Sequence, residues 1–359
     1  MKQFKVLEVV SGLGMGGAEI ALISRLKFSP SSVEATILNI RPQIDAISLP
    51  EDVNLANNNG SFIETLLFLL KGVRDFCPDL VIVRTPADVV RMAIVKRLSK
   101  NNFSFIFEAH SNFLTKKRLL ATPFRFLFNL ASRQLDGIIA VSKSVKDGPL
   151  CRVGVPVQVC YLGSDIKIKA SDLKILEKPK MIFVGRMVDL KRPLWLIERI
   201  ASLRDKNLIG DASLTMVGDG PLLEEARRLV SNLRLENLVS IVGQQANVLP
   251  YLLEHTHLVS CSINEGLPIT FYEAKLAGLR IISTPSGGGA EIFDVNDLVT
   301  AGFSEIEFEA VLEKVFGEPP PTLIEKIEIS EASAWMSSQK CTENYYQAIF
   351  SIFENRRIR

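Results

Sequence analysis

The sequence predicts an α/β protein built from two Rossmann-like domains. Its 359 residues are too many for one ordinary hydrophobic core. Short apolar runs alternate with amphipathic stretches along the whole chain, the pattern of parallel β-α-β units. A polar, lysine-rich break, SDIKIKASDLKILEKPK, divides those runs into two series.

In the first series FKVLEVV (4–10), EATILNI (34–40), DLVIVR (79–84), FSFIFEAH (103–110) and DGIIAVS (136–142) read as strands. In the second, KMIFVGR (180–186), SLTMVGDG (213–220), VSIVGQ (239–244), THLVSCS (256–262) and LRIISTP (279–285) do so. The expected division is a first domain over 1–165, a linker over 166–179 and a second domain over 180–331. Such sheets bind ligands beyond the carboxyl ends of their strands, and a cleft between the domains is the expected site. PPPT (319–322) stops whatever precedes it. From about Ala332 to Arg359 a helical pattern resumes with Trp335, Tyr345, Tyr346, Phe350 and Phe353, aromatic enough to require a surface to pack on.

Composition narrows the partners. A net charge of +2 gives no reason to expect a polyanion, although residues 1–165 hold 20 Lys and Arg against 14 Asp and Glu. Nucleic acid is not expected, since no basic motif with base-stacking geometry stands out. Five scattered cysteines with no C-x-x-C pair read as reduced thiols and not as a zinc site. MKQFKVLEVV reads as a first strand, not a signal peptide. No run approaches the ~18 apolar residues of a membrane span, and LLFLL (66–70) reads as a buried helix segment. A cytoplasmic protein, at most peripheral on a membrane, is expected.

Four stretches suggest chemistry. SGLGMGGAEI (11–20) satisfies G-x-G-x-x-G through Gly12, Gly14 and Gly17, and bare glycines let backbone approach a phosphate at a helix N-terminus. The acidic residue that a dinucleotide ribose requires is missing from Leu38–Arg41, so NAD is rejected. A ligand-approach loop is favoured over a mere tight turn. FVGRMVDLKRP (183–193) puts Arg186 and Lys191 just past a strand, either as a diphosphate clamp or as a solvated basic loop. MVGDGP (216–221) reads as a turn shaping the next helix. In SINEGLPITFYEAKL (262–276), Gly266 and Pro268 confine Glu265 to a loop, while Glu273 falls on a helix beginning near Pro268. Loop N–H groups and that helix N-terminus make an anion site with a carboxylate on either side, the alternative being a capping acid and an exposed one.

The GGAE loop (16–19), VGR with Lys191, VGDGP (217–221), Glu265-x7-Glu273 with Gly-Leu-Pro after the first Glu, and SGGGAEI (286–292) occur together and in order. In this the chain resembles the retaining GT-B glycosyltransferases of family 4. DGIIAVS with YLGSD (161–165) resembles the end of that family's first domain, and the tail resembles its terminal helix that crosses back. The resemblance implies that Arg186 and Lys191 bind the donor diphosphate, that Glu273 holds the ribose hydroxyls, and that Glu265 contacts the transferred sugar. It further implies that Gly16 and Gly17 cover the diphosphate and that Asn264, Gly266 and Leu267 meet phosphate or sugar oxygens. Gly243 and Gln244 would meet the base, and His110 would lie near the reacting sugar.

No D-x-D motif occurs, so no metal and no other cofactor is expected. The implied activity moves a hexose from a nucleotide diphosphate sugar to a saccharide or lipid-linked acceptor, with cell-surface polysaccharide assembly as its setting. A nucleotide-sugar epimerase and a non-catalytic nucleotide-sugar binder are the rival readings. Residues 110–135 hold five Lys and Arg, four Phe and no acid, which suits either contact with anionic lipid through 115–135 or an ordinary helix with its Phe inside.

Overall fold

A computed structural model describes residues 3–13, 17–42, 49–51, 53–111 and 122–357. The chain forms two compact units: unit 1 contains Met1–Ser164 with Met336–Arg359, and unit 2 contains Asp165–Trp335.

Unit 1 is a parallel sheet in the order β3-β2-β1-β4-β5-β6-β7. Its strands are β1 (Phe4–Val10), β2 (Val33–Asn39), β3 (Asn54–Asn57), β4 (Leu80–Val83), β5 (Ser104–Ala109), β6 (Gly137–Ala140) and β7 (Val157–Val159). The order reverses between β1 and β4, which creates a crevice at their carboxyl ends. Helices α1 (Gly17–Lys27), α2 (Phe62–Phe76), α3 (Pro86–Leu98), α4 (Thr122–Ser132) and α5 (Lys143–Lys146) connect the strands. Ser61 and Glu64 form a capping box at the start of α2, and Thr85 caps α3 ahead of Pro86, so each helix begins where its first free N–H groups find a partner. LLFLL is only partly buried: Leu69 is inside, but Leu67 is 60% exposed, as are much of Phe62 and Ile63.

Unit 2 is a second parallel sheet, ordered β10-β9-β8-β11-β12-β13. Here β8 is Lys180–Val184, β9 Ser213–Val217, β10 Val239–Gly243, β11 His257–Ser260, β12 Arg280–Ser283 and β13 Leu298–Val299. The helices are α6 (Pro193–Asp205), α7 (Leu223–Asn232), α8 (Leu249–Leu253), α9 (Ile269–Leu276), α10 (Glu305–Gly317) and α11 (Leu323–Ala332). Its strand order reverses at β8, with β9 on one side and β11 on the other. Ile166 and Ile168, in the segment expected as a linker, pack on this unit's core.

The last helix, α12 (Ser338–Arg357), belongs to unit 1. Tyr345, Tyr346, Ile349 and Ile352 cover Val6, Ile82, Ile106 and Ile139 of the sheet, and Phe4 meets Phe350 and Phe353 edge-on. Trp335, counted with the aromatic tail in the sequence, lies before the helix and is half exposed. Among the described residues no helix is long and apolar enough to cross a membrane.

Candidate functional site

The site in unit 2 is assembled from loops at the carboxyl ends of adjacent strands. The segment after β8 ends in a 3-10 turn, Asp189–Lys191, followed by Arg192 in the left-handed region and Pro193 at the start of α6. The N–H of Ile263, in the segment after β11, donates to the Leu190 carbonyl at 2.9 Å. That bond sets the two segments side by side and brings Lys191 to Glu265, whose Nζ and Oε1 form a direct ion pair. Both side chains are largely buried, 20% and 12% exposed, and a charge so placed is stable only with a partner.

Glu265 is fixed through its backbone as well. Its N–H donates to Ser286 at 2.8 Å and its carbonyl accepts from Gly288 at 3.1 Å, a parallel bridge between the GLP loop and the SGGGAEI loop. Gly289 is required there, because a Cβ would lie 2.8 Å from the Phe271 ring of α9. The loop after β9 supports the other side. Met187 N–H donates to Asp219 at 2.8 Å, and a Cβ on Gly218, at φ +142°, would lie 1.9 Å from the Gly185 carbonyl oxygen. VGDGP is therefore a spacer that lets the VGR loop pass closely, as well as the turn ahead of α7.

The remaining residues singled out in the sequence divide by place. Arg186 is exposed in the loop after β8 and makes no ion pair among the described residues. Asn264 is half-buried, while Gly266 and Leu267 are buried in the turn before α9, where the resemblance wants backbone and not side chains. Glu273 is half-buried in the second turn of α9. Gly243 ends β10 at φ +76° with its carbonyl accepting from Gly218 at 2.9 Å, and Gln244 beyond it is exposed. Gly17 opens α1 in unit 1. Gly16 lies outside the described residues, as does part of 115–135.

His110 follows β5 in unit 1, its Nε2 2.8 Å from Glu108 Oε1. Glu108 belongs to a buried network that sequence reasoning missed. Arg25 spans Glu8 and Glu108 at 3.0 Å each, Arg84 reaches the same two at 2.8 and 3.2 Å, and the Tyr345 hydroxyl donates to Glu108 at 2.7 Å. Burial alone would raise the Glu108 carboxyl, but Arg25, Arg84 and His110 hold it well below the usual carboxylate range. The available signal was two acids, Glu8 and Glu108, inside mainly apolar strands. Asn39 stands at the end of β2, where a dinucleotide fold needs its acid; its Oδ1 accepts from the N–H groups of Gly12 and Arg41, both at 3.2 Å. His255 and His257 are both buried in unit 2.

Residues 164–323 match the family Glycosyl transferases group 1. An uncharacterized glycosyltransferase of Methanocaldococcus jannaschii, MJ1059, is 25% identical over 60% of this chain and 58% of its own. The N-acetyl-alpha-D-glucosaminyl L-malate synthase of Bacillus anthracis is 34% identical over 48% of this chain and 47% of its own. The chain thus spans about half the length of these curated relatives. In three dimensions, Anabaena Alr3699/HepE in complex with UDP and glucose superposes with a TM-score of 0.77 at 18% identity, covering 97% of this chain and 100% of that one. The fold is GT-B.

Proposed function

We propose, from the match of residues 164–323 to the family Glycosyl transferases group 1, that the protein is a retaining, metal-independent hexosyltransferase. It moves a hexose from a nucleotide diphosphate sugar to a saccharide or lipid-linked acceptor in cell-surface polysaccharide assembly. The observation that carries this reading is the Lys191–Glu265 pair at the carboxyl edge of unit 2, where the strand order reverses.

In the reaction the bond between the sugar's anomeric carbon and the diphosphate oxygen breaks, and the nucleoside diphosphate leaves with the electron pair. The acceptor hydroxyl bonds to that carbon from the same face, and its proton passes to a donor phosphate oxygen. Lys191 and Arg186 offset the charge developing on the leaving group. Glu265 positions the sugar and, through its ion pair, the Lys191 ammonium. Glu273 holds the ribose, Gly243 and Gln244 meet the base, and His110 contacts the reacting sugar with its ring held by Glu108. Neither Glu265 nor Glu273 acts as a nucleophile. The apolar residues Phe126, Leu127 and Leu130 of α4 are exposed beside Arg125, which supports peripheral contact with anionic lipid.

A thermal-shift panel of UDP-, GDP- and ADP-sugars tests this reading, since a ligand bound only by the native state raises the melting point. One nucleotide class should raise it, and Glu273→Ala should weaken that shift. A flat response to every nucleotide sugar would overturn the assignment.

A further inference from the structure

Unit 1 contains a polar cavity that the donor chemistry above does not use. Its volume is about 460 Å³, within the range of small-molecule sites, and it lies at the carboxyl edge of the sheet. Ser11 enters it from the end of β1, Arg41 from beyond β2, Asn59 from beyond β3, Phe62 and Thr65 from α2, and Arg91 from α3. Two arginines, a serine, a threonine and an asparagine thus line it together with Phe62. No carboxylate lines it among the described residues.

An acid outside that lining, Asp88, holds two of its members. Asp88 is 1% exposed and accepts from the hydroxyls of Ser11 at 2.8 Å and Thr85 at 2.6 Å, and from Arg91 Nη1 at 2.6 Å. Asp88 therefore fixes Ser11 and Arg91 in place while using only one of the five guanidinium N–H groups. Arg41 is exposed and brings a second cation, its backbone N–H held by Asn39. A fixed fork, a second arginine and several hydroxyl partners match the acceptor-rich geometry of phosphate or carboxylate.

We propose that this cavity binds a sugar-sized polar molecule bearing an oxyanion, either phosphate or carboxylate. In the reaction proposed above that molecule is the acceptor, an identification that rests on that reading; the binding does not.

Calorimetric titration of the full chain with glucose 1-phosphate, glucuronate and glucose tests the proposal and separates the two oxyanions. At least one anion should bind roughly tenfold or more tightly than glucose, the yield of one charge-assisted hydrogen bond. Arg41→Gln and Arg91→Gln should each remove that advantage, and Lys191→Ala should keep it. Arg41 is exposed, so its variant tests the site even if Arg91→Gln unfolds. Equal affinity for glucose and both anions would overturn the proposal. So would anion binding that survives Arg41→Gln but is lost in Lys191→Ala, which would place the anion in unit 2. A protein that binds glucose 1-phosphate here but no nucleotide sugar would refute the transferase reading and leave this site standing.

Discussion

Lys191 and Glu265 lie 74 positions apart in the chain and form one ion pair at the carboxyl edge of unit 2. The pair exists because the segments after β8 and β11 run side by side, tied by the bond from Ile263 to Leu190. Glu265→Gln retains the shape and removes the charge, leaving a largely buried ammonium without its partner. Urea unfolding should show a loss of about 1–2 kcal/mol. Transfer should fall by at least about tenfold through lost positioning. A variant with wild-type stability and turnover would mean that the pair is incidental.

The network around Glu108 ties α12 to the sheet of unit 1. Tyr345 donates to the Glu108 carboxylate, and Arg25 stacks over the Tyr345 ring at 3.9 Å. Tyr345→Phe keeps the ring and deletes one bond to a charged acceptor, for an expected loss of about 1.5–3 kcal/mol. Glu108→Ala leaves two buried guanidiniums short of a counter-charge and should cost about 3–5 kcal/mol. Equal losses in both variants, measured by chemical denaturation, would show that the carboxylate does not organise the network.

His257 makes stability depend on acid. Burial, reinforced by Arg280 and Lys326, pushes its imidazole down to about 3, against 6.5 for a free ring. Between those values the unfolded chain takes up a proton that the native chain does not. The contribution is therefore complete above pH 6.5 and is lost as pH falls towards 3. His257→Leu should flatten the decline of the urea midpoint between pH 6.5 and pH 4. An unchanged slope would assign that decline to other groups.

The exposed apolar face of α4 has a direct test. Phe126 is 68% exposed, whereas Phe128 is buried against Phe107. The sequence alone offered all four Phe of 110–135 either to lipid or to the core; of the three on α4, Phe126 is exposed, Phe124 half-buried and Phe128 buried, while Phe113 lies outside the described residues. Anionic vesicles should sediment the protein at low salt and lose it on replacing Phe126 and Leu127 by Ser. Absence from the pellet would leave α4 an ordinary surface helix.

Legibility in the sequence followed burial. Strands with apolar residues on both faces, such as FKVLEVV and KMIFVGR, announce themselves, and β1 and β8 begin where those runs do. Three of the four edge strands escaped notice: Asn54–Asn57 is exposed throughout and bears no hydrophobic pattern, Val157–Val159 has three residues and Leu298–Val299 only two. Likewise, Glu265 and Lys191 could be picked out singly from loop chemistry, but their pairing depends on which strands are neighbours, and β8 lies beside β11 only through the sheet order. The Glu8–Arg25–Glu108–Arg84 network was hidden for the same reason, since its members come from β1, α1, β5 and the residue just past β4.

The role of Lys191 is tested most directly by single-turnover transfer in Lys191→Ala, with donor affinity measured on the same preparation. The expected result is a fall of at least roughly 100-fold in the transfer rate, the scale of losing one group that stabilises developing charge. Wild-type transfer with the donor bound as before would contradict the account.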